Sequence, residues 1–521
     1  MQLRAYFAII PFLSSTSSVV FAAQGLTSSS LTKHVDSLAL SSAFSPIKEA
    51  YWTGLPHHRR TPFAVSPDGG TAYLAYLDAS GTDVHVQPVD PTTFTSAGSA
   101  VTVAGGKEAG GLVAHDGDGG FALLTNEALP TGTADAPADE TPVPVLYRYG
   151  ADGALAFKTF LGGPGVHADF GLAASPDLNG DLVYSADADL YGAYFVVTAY
   201  TGDAAGHYGD SIQYVDGANG TLLEIAGASS SWGCSHNTGI ALEAADAAPF
   251  ASVCAEDQGA VWLNTDTQGM SGTKISNENT TNGAGGESLG GMSGSYSALA
   301  RLPGSDAYVF AWVSRGAVDL TENAWLGAGY TNAANRTNGR NVAFAQLASK
   351  STLKGDEASS EVGAADGDLQ VNWITTGTAD NSNAHVAAFG DGASALVAWE
   401  EIAEPQCEFV AMGCRGAFTG AYYQVVADGA KVGEPLKVTD TFVAGDMVTM
   451  ADGRICWPYV AMDWDLSEAV PYGGSTETTS AISFACMTLN NSTAAREESS
   501  ASTPSSATAY ADDSSQYIDS E

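Results

Sequence analysis

The chain has 521 residues, 45% of them hydrophobic and 59 of them glycine, enough to bury a large core and to turn often. Only 20 residues are basic against 59 acidic, a formal net charge of −39. Such a field repels nucleic-acid phosphates and anionic lipid surfaces, which excludes nucleic acid as a partner and a basic membrane-docking role.

In chain order, the first element is MQLR followed by AYFAIIPFLSSTSSVVFA, residues 5–22. One basic residue, an interrupted apolar run and small residues near Ala22 read as a secretory signal peptide over residues 1–22. No stretch of about 20 apolar residues survives the Ser/Thr interruption, so insertion into a membrane is not expected. Residues 23–34 read as an N-terminal extension, 35–491 as the folded body and 492–521 as a disordered Ser/Thr-rich tail. That tail has no hydrophobic end of the kind a lipid-anchor signal needs.

The body repeats one phrase seven times: small apolar residues, an Asp/Gly-rich turn, then a second apolar run ending in a charged residue. The copies are FAVSPDGGTAYLAYLD (63–78), GLVAHDGDGGFALLTNE (111–127), LAASPDLNGDLVYSADAD (172–189) and IALEAADAAPFASVCAED (240–257). ALARLPGSDAYVFAWVSR (298–315), VAAFGDGASALVAWEE (386–401) and MVTMADGRICWPYVAMDWD (447–465) complete the set. A third apolar run follows every hairpin, from DVHVQPV (83–89) to AISFACMTL (481–489), and a fourth follows the first six. β-branched and aromatic residues alternate with polar ones in these runs, which makes them strands. Four strands in each of seven units predict an all-β, seven-bladed β-propeller of four-stranded antiparallel blades. The seventh unit lacks a fourth run, and SLALSSAF (37–44) has no other place, so the N-terminal strand is expected to close the ring.

The six cysteines fall into three local pairs: Cys234 with Cys254, Cys407 with Cys414, and Cys456 with Cys486. An even set without zinc-type spacing reads as disulfides formed in an oxidising compartment. Sequons at Asn219, Asn279, Asn335, Asn490 and Asn491 would accept N-glycans, giving a secreted, extracellular glycoprotein expected to be monomeric.

In propellers the inner strand of each blade begins, and the second strand ends, on one face around the central channel. Aligning AVSPD with AASPD puts His58 and His167 at equivalent positions, and His236 falls one residue off that register. The second runs end in Asp78, Glu127, Asp187 with Asp189, Glu256 with Asp257, Arg315, Glu400 with Glu401, and Asp463 with Asp465. The expected ligand set is therefore His58, His167, His236, Arg315, Glu400 and Trp232, with His236, Glu256 and Asp257 as candidate catalytic groups. Trp325, Trp457 and Trp464 lie near loop ends and are further stacking candidates. Carboxylates and carbonyls can hold Ca²⁺, a hard cation, although no cofactor is required. The turn acids Asp68, Asp116, Asp118 and Asp452 lack the twelve-residue calcium-loop pattern and read as turn formers. No GxSxG elbow, P-loop, HExxH or dinucleotide fingerprint is present.

Three readings of function stand side by side. One is a binding module for an extracellular glycan or protein at one polar central site. Another is an extracellular carbohydrate-active hydrolase or lyase using carboxylates and His236. The last is a structural protein of the cell surface or wall. The rim residues differ from unit to unit, which argues for a single central site over a multivalent lectin.

Overall fold

The computed structural model describes residues 25–49, 54–138, 140–167, 171–174, 180–203, 205–230, 233, 239–255, 260–266, 268, 272–277, 296–316, 318–322, 331–334, 337, 339–355, 362, 371–409, 413–471 and 473–489. Their strands form seven antiparallel blades in a seven-bladed β-propeller. The only helical turn among them is a short 3₁₀ segment, Ser28–Ser30, and no helix is long and apolar enough to cross a membrane.

Blade 1 runs outward through Phe63–Val65, Ala72–Leu77, Asp83–Val89 and Val101–Ala104. Blade 2 follows with Ala109–Ala114, Phe121–Ala128, Pro142–Tyr149 and Leu155–Phe160. Blade 4 comprises Ile240–Glu243, Ala251–Ala255, Ala260–Leu263 and Lys274–Asn277. Blade 5 comprises Leu299–Arg301, Tyr308–Ser314 and Asn341–Ser349, with Thr352–Leu353 and Asn372–Trp373 sharing its outer edge. Blade 6 comprises Asp380–Ala388, Ser394–Phe409, Gly413–Ala427 and Ala430–Val438.

Blade 7 is completed as the sequence predicts. Its strands Val448–Thr449, Ile455–Tyr459 and Thr479–Met487 are covered by Leu31–Phe44, which pairs antiparallel with Thr479–Met487. Pairing begins at Leu31, inside the stretch expected to be an extension. Phe44 from this strand is fully buried with Phe63, Phe94 and Phe484, so the first and last blades share one apolar seam. Burying each such ring contributes about 1.5–3 kcal/mol.

Seven apolar clusters fill seven seams, one between each pair of neighbouring blades. This explains why second and third strands such as YVFAWVS are buried along their whole length. Both faces of each blade are covered by a neighbour.

Blade 3 departs from the expected register. Residues 172–174 and Gly180–Ser185 both pair with Leu190–Ala199, so they are two pieces of one inner edge. The second strand is Leu190–Ala199, and Tyr208–Asp216 and Leu222–Leu223 lie outside it. Leu190–Ala199 is apolar on both faces and shows no alternation, whereas LVYS mimics a second strand in length and composition. The alignment of AASPD with AVSPD therefore matches segments in different places, and Asp187 and Asp189 sit in the turn between inner and second strands.

Three hairpins lie outside the expected strands, one of them Val318–Glu322 paired with Thr331–Ala334. Ile47–Glu49 pairs with Pro56–His58, and the middle strands of blade 6 run past the sheet to a tip closed by Cys407–Cys414. The cross-strand pair Cys456–Cys486 is disulfide-bonded at directly opposed positions. Cys254 is also disulfide-bonded, while its expected partner Cys234 lies outside the described residues.

Candidate functional site

The inner strands and their Asp/Gly turns set the site. Asp68, Asp118, Asp391 and Asp452 accept backbone N–H groups two residues on, capping the tight turns between inner and second strands. Gly69, Gly119, Gly392 and Gly453 supply the positive φ those turns need. These acids are committed to turns at one end of the channel. Residues just before the inner strands of blades 1, 5 and 7 gather at the other end.

Arg60, three residues before the inner strand of blade 1, reaches across that end. Its Nη1 donates to the carbonyls of Gly110 (2.6 Å) and Gly180 (2.5 Å), at the inner edges of blades 2 and 3. Its Nη2 donates to Asp446 Oδ1 (2.6 Å), before the inner strand of blade 7, and lies 3.7 Å from Asp181 Oδ1. The guanidinium also sits 4.4 Å from the ring centre of Tyr296, before the inner strand of blade 5. One cation thus ties together five blades. Asp446 is itself fixed by the Phe63 N–H (3.1 Å). Its loop passes so close to blade 1 that a Cβ on Gly445 would lie 2.0 Å from the Thr61 carbonyl oxygen, so glycine is required there.

This end opens on a cavity of about 330 Å³ along the axis, lined by the inner edges of all seven blades and including Asp181, Glu243, Ser297 and Asp446. The Arg60, Asp181 and Asp446 side chains are 11%, 12% and 17% exposed, buried but not sealed. Burial lifts the Asp181 carboxyl to about 8, against the pull of Arg60 and with the help of Asp446 and Glu243. Burial likewise lifts Glu243 to about 7, although the Ala244 N–H stabilises its charged form. Burial thus biases both Asp181 and Glu243 towards their protonated forms, and they line the cavity together with Asp446. The Tyr296 hydroxyl and Arg60 Nε are buried without a hydrogen-bond partner.

A second cluster adjoins the first. His58 Nε2 donates to Glu400 Oε1 (2.8 Å), and the same carboxylate accepts Asn383 Nδ2 (2.8 Å) and Trp464 Nε1 (2.7 Å). The His58 ring stacks on Trp464 at 3.9 Å. Asn383 Oδ1 meets His385 Nε2 (2.8 Å), and His385 stacks on Tyr296, which links this network to Arg60. Burial would raise Glu400, yet His58 and the two neutral donors hold it below its ordinary range. The extended hairpin of blade 6 roofs this network through Ile402, Cys414 and Phe418, packed with Phe442, Trp464 and Leu466.

Of the residues singled out from sequence, the structure brings His58 and Glu400 together. His167 instead meets Gln213 (2.7 Å) on the third strand of blade 3, because the register that placed it beside His58 does not hold. Arg315 ends the second strand of blade 5 and donates to Cys414 Sγ (3.6 Å), beside the disulfide of blade 6. Trp457 and Trp464 are buried in the blade 6–7 seam and bond to Phe442 and Glu400, so neither offers a face to a ligand. Trp232, His236, Glu256, Asp257, Trp325, Asn279, Asn335, Asn490 and Asn491 lie outside the described residues; Asn219 is exposed in a turn of blade 3.

The expected ring of second-strand acids disperses into the blades. Glu127 accepts from Tyr147 and Lys158, Glu401 from Tyr422 and Thr419, and Asp78 from Ser80 and the Thr82 N–H. Among the described residues no three His, Cys, Asp or Glu side chains converge as metal ligands. The groups missed from sequence are Arg60, Asp181, Asp446 and Tyr296. A signal was present: GDLV (180–183) and GDMV (445–448) place an aspartate at matching starts of two inner strands.

No protein-family model matches the sequence, and no curated protein does. The chain is similar in structure to an α-L-arabinofuranosidase from Fusarium graminearum in complex with an iminosugar inhibitor, at 10% identity and TM-score 0.37, covering 86% of this chain and 98% of that one. It is similar to a PL25 polysaccharide lyase, an ulvan lyase, at 10% identity and TM-score 0.33, covering 81% and 80%. The WD40 domain of Toxoplasma gondii coronin matches at 7% identity and TM-score 0.26, covering 90% of each chain. Likeness at this level carries no argument about activity, and the propeller assignment rests on the strand order of this chain itself.

Proposed function

We propose that the protein is a secreted, monomeric propeller that binds one polar extracellular ligand, a glycan, at the Arg60 end of its central channel. The observation that carries this reading is the asymmetric cluster of Arg60, Asp181, Asp446 and Tyr296 at the head of an axial cavity. Four of the seven blades contribute, with one arginine, two aspartates and one tyrosine, and this asymmetry suits one irregular ligand over a repeated one. Carboxyls and a guanidinium at fixed positions match the hydroxyls of a sugar, which donate and accept in pairs. Disulfides in blades 6 and 7 support an oxidising, extracellular setting. The reading needs no cofactor.

The test is thermal unfolding of the intact protein across a panel of oligosaccharides. A ligand at a hundredfold excess over Kd stabilises the fold by about 2.7 kcal/mol. An upward shift with one glycan supports the reading, and no shift with any glycan removes it.

A second reading, glycoside hydrolysis, is favoured by one observation. Asp181 and Asp446 approach the same Arg60 nitrogen, which sets two carboxyls side by side at the cavity, the residue pair that glycoside hydrolysis uses. Release of reducing ends from the bound glycan, lost in Asp181→Asn, would establish it. Binding with no product over hours would leave the protein a binder.

A further inference from the structure

Resting on the glycan reading above, we infer that the ligand enters the channel from the turn end, as the free end of a chain. Its leading sugar stops against the Arg60 cluster, so the site takes a chain terminus and not an internal run of a polymer. The two ends of the cavity are built differently. At the Arg60 end, side chains cross the axis. The guanidinium reaches from blade 1 to the carbonyls of Gly110 and Gly180 and to Asp446, and packs on Tyr296 of blade 5. Tyr296 is backed in turn by the His385 ring at 4.6 Å. Ser297 Oγ accepts the Met447 N–H (2.9 Å), tying blade 5 to blade 7 past blade 6. A chain passing here would have to part hydrogen bonds to a charged group, each worth about 1.5–3 kcal/mol.

At the opposite end, contacts run around the rim. All seven turns between inner and second strands belong to the described residues. Bonds there join neighbouring blades: the Asp68 N–H to Asp116 Oδ1 (3.0 Å), the Tyr308 hydroxyl to the Ala244 carbonyl (3.1 Å), and the Gly390 N–H to the Gly453 carbonyl (3.1 Å). The cavity reaches this rim, where Pro67, Tyr184, Ala244 and Arg301 line it. The Arg301 side chain is 36% exposed against 11% for Arg60, so solvent meets the cavity on the turn side. From Asp181 to Tyr184 the inner strand of blade 3 rises about 10 Å, so an entering chain soon meets Asp181, Asp446 and Arg60. A volume of about 330 Å³ suits a small ligand or a short run of sugar rings, and leaves the rest of a polymer outside. An internal run would need a groove open at both ends; a channel crossed by side chains at one end receives a terminus.

The experiment titrates the full-length protein calorimetrically with linear arabinan, xylan, mannan and mixed-linkage β-glucan. Each is supplied as a hexasaccharide and as two soluble polymers of different length. The expected result is one protein bound per chain in at least one series, whatever the length, with a Kd per mole of chain within about threefold of the hexasaccharide. Several proteins per polymer chain, rising in number with chain length, would overturn end-on entry while leaving a glycan-binding protein in place. Silence of every series overturns the glycan reading and end-on entry together. Pro67→Trp combined with Ala244→Trp, in turns of blades 1 and 4 across the ring, should weaken binding at least about tenfold with the melting temperature unchanged. A folded double variant that binds like the wild type would overturn entry from the turn end. Should that variant fail to fold, the stoichiometry of the wild-type protein still decides.

Discussion

Arg340 and Arg60 each pair with an aspartate of another blade, and the difference between them separates framework from site. Arg340 donates through N, Nε and Nη2 to both oxygens of Asp380, whose side chain is 0% exposed against 5% for the arginine. That pair is closed, with its hydrogen bonds satisfied locally between blades 5 and 6. Arg60 makes as many bonds, yet it spreads them over blades 2, 3 and 7, keeps Nε unpaired, and leaves Asp181 and Asp446 open to the axial cavity. A saturated pair holds the fold; an undersaturated one at a cavity has capacity left for a ligand.

The comparison breaks most visibly at the closed pair. Asp380→Ala strands Arg340 in the interior and should destabilise the protein by about 3–5 kcal/mol in chemical denaturation, without altering the glycan preference of the molecules that remain folded. Arg60→Met should cost about 3 kcal/mol, since Asp446 and two carbonyls lose a charged donor, and should abolish binding as well. A variant that melted normally and still bound would mean that Arg60 is framework only. Asp446→Asn keeps the shape and a weaker bond to Arg60. It should lose about 1.5 kcal/mol of stability while binding falls at least about tenfold.

The smallest effect is one of pH. Asp181 is lifted by burial to about 8 from an ordinary 3.8, so the folded state keeps a proton that the unfolded chain has released. Its contribution is greatest at low pH and is lost as pH rises toward 8, with Glu243 adding the same sign up to about 7. The melting temperature of the wild-type protein should therefore fall as pH rises from about 4 to about 8. Asp181→Asn should flatten that slope, standing nearest the wild type at about pH 4. A slope untouched by the substitution would place the titrating proton elsewhere.

The repeat made the fold legible because every blade buries both faces, and a blade that cannot stand alone must recur with the same pattern. The closing strand could be read for the same reason, since SLALSSAF had hydrophobic residues and no partner. Blade 3 misled where its inner edge is broken and its second strand is apolar throughout, so that length and alternation pointed to the wrong run. Of the site, His58 and Glu400 were visible because charged or polar residues at strand ends stand out. Arg60, Asp181 and Asp446 were not, because their meeting depends on ring closure that brings residues from opposite ends of the chain to one axis. Glu127 and Glu401 show the converse: strand-end acids whose side chains turn outward along their own blades.

The central claim is that the Arg60 cluster receives the ligand. The direct test is calorimetric titration of the tightest-binding oligosaccharide into the wild-type protein and into Asp446→Asn at pH 6.5. The account predicts a Kd at least about tenfold weaker in the variant, with both proteins fully folded at the temperature used. An unchanged Kd would contradict it and move the binding site away from the Arg60 cluster.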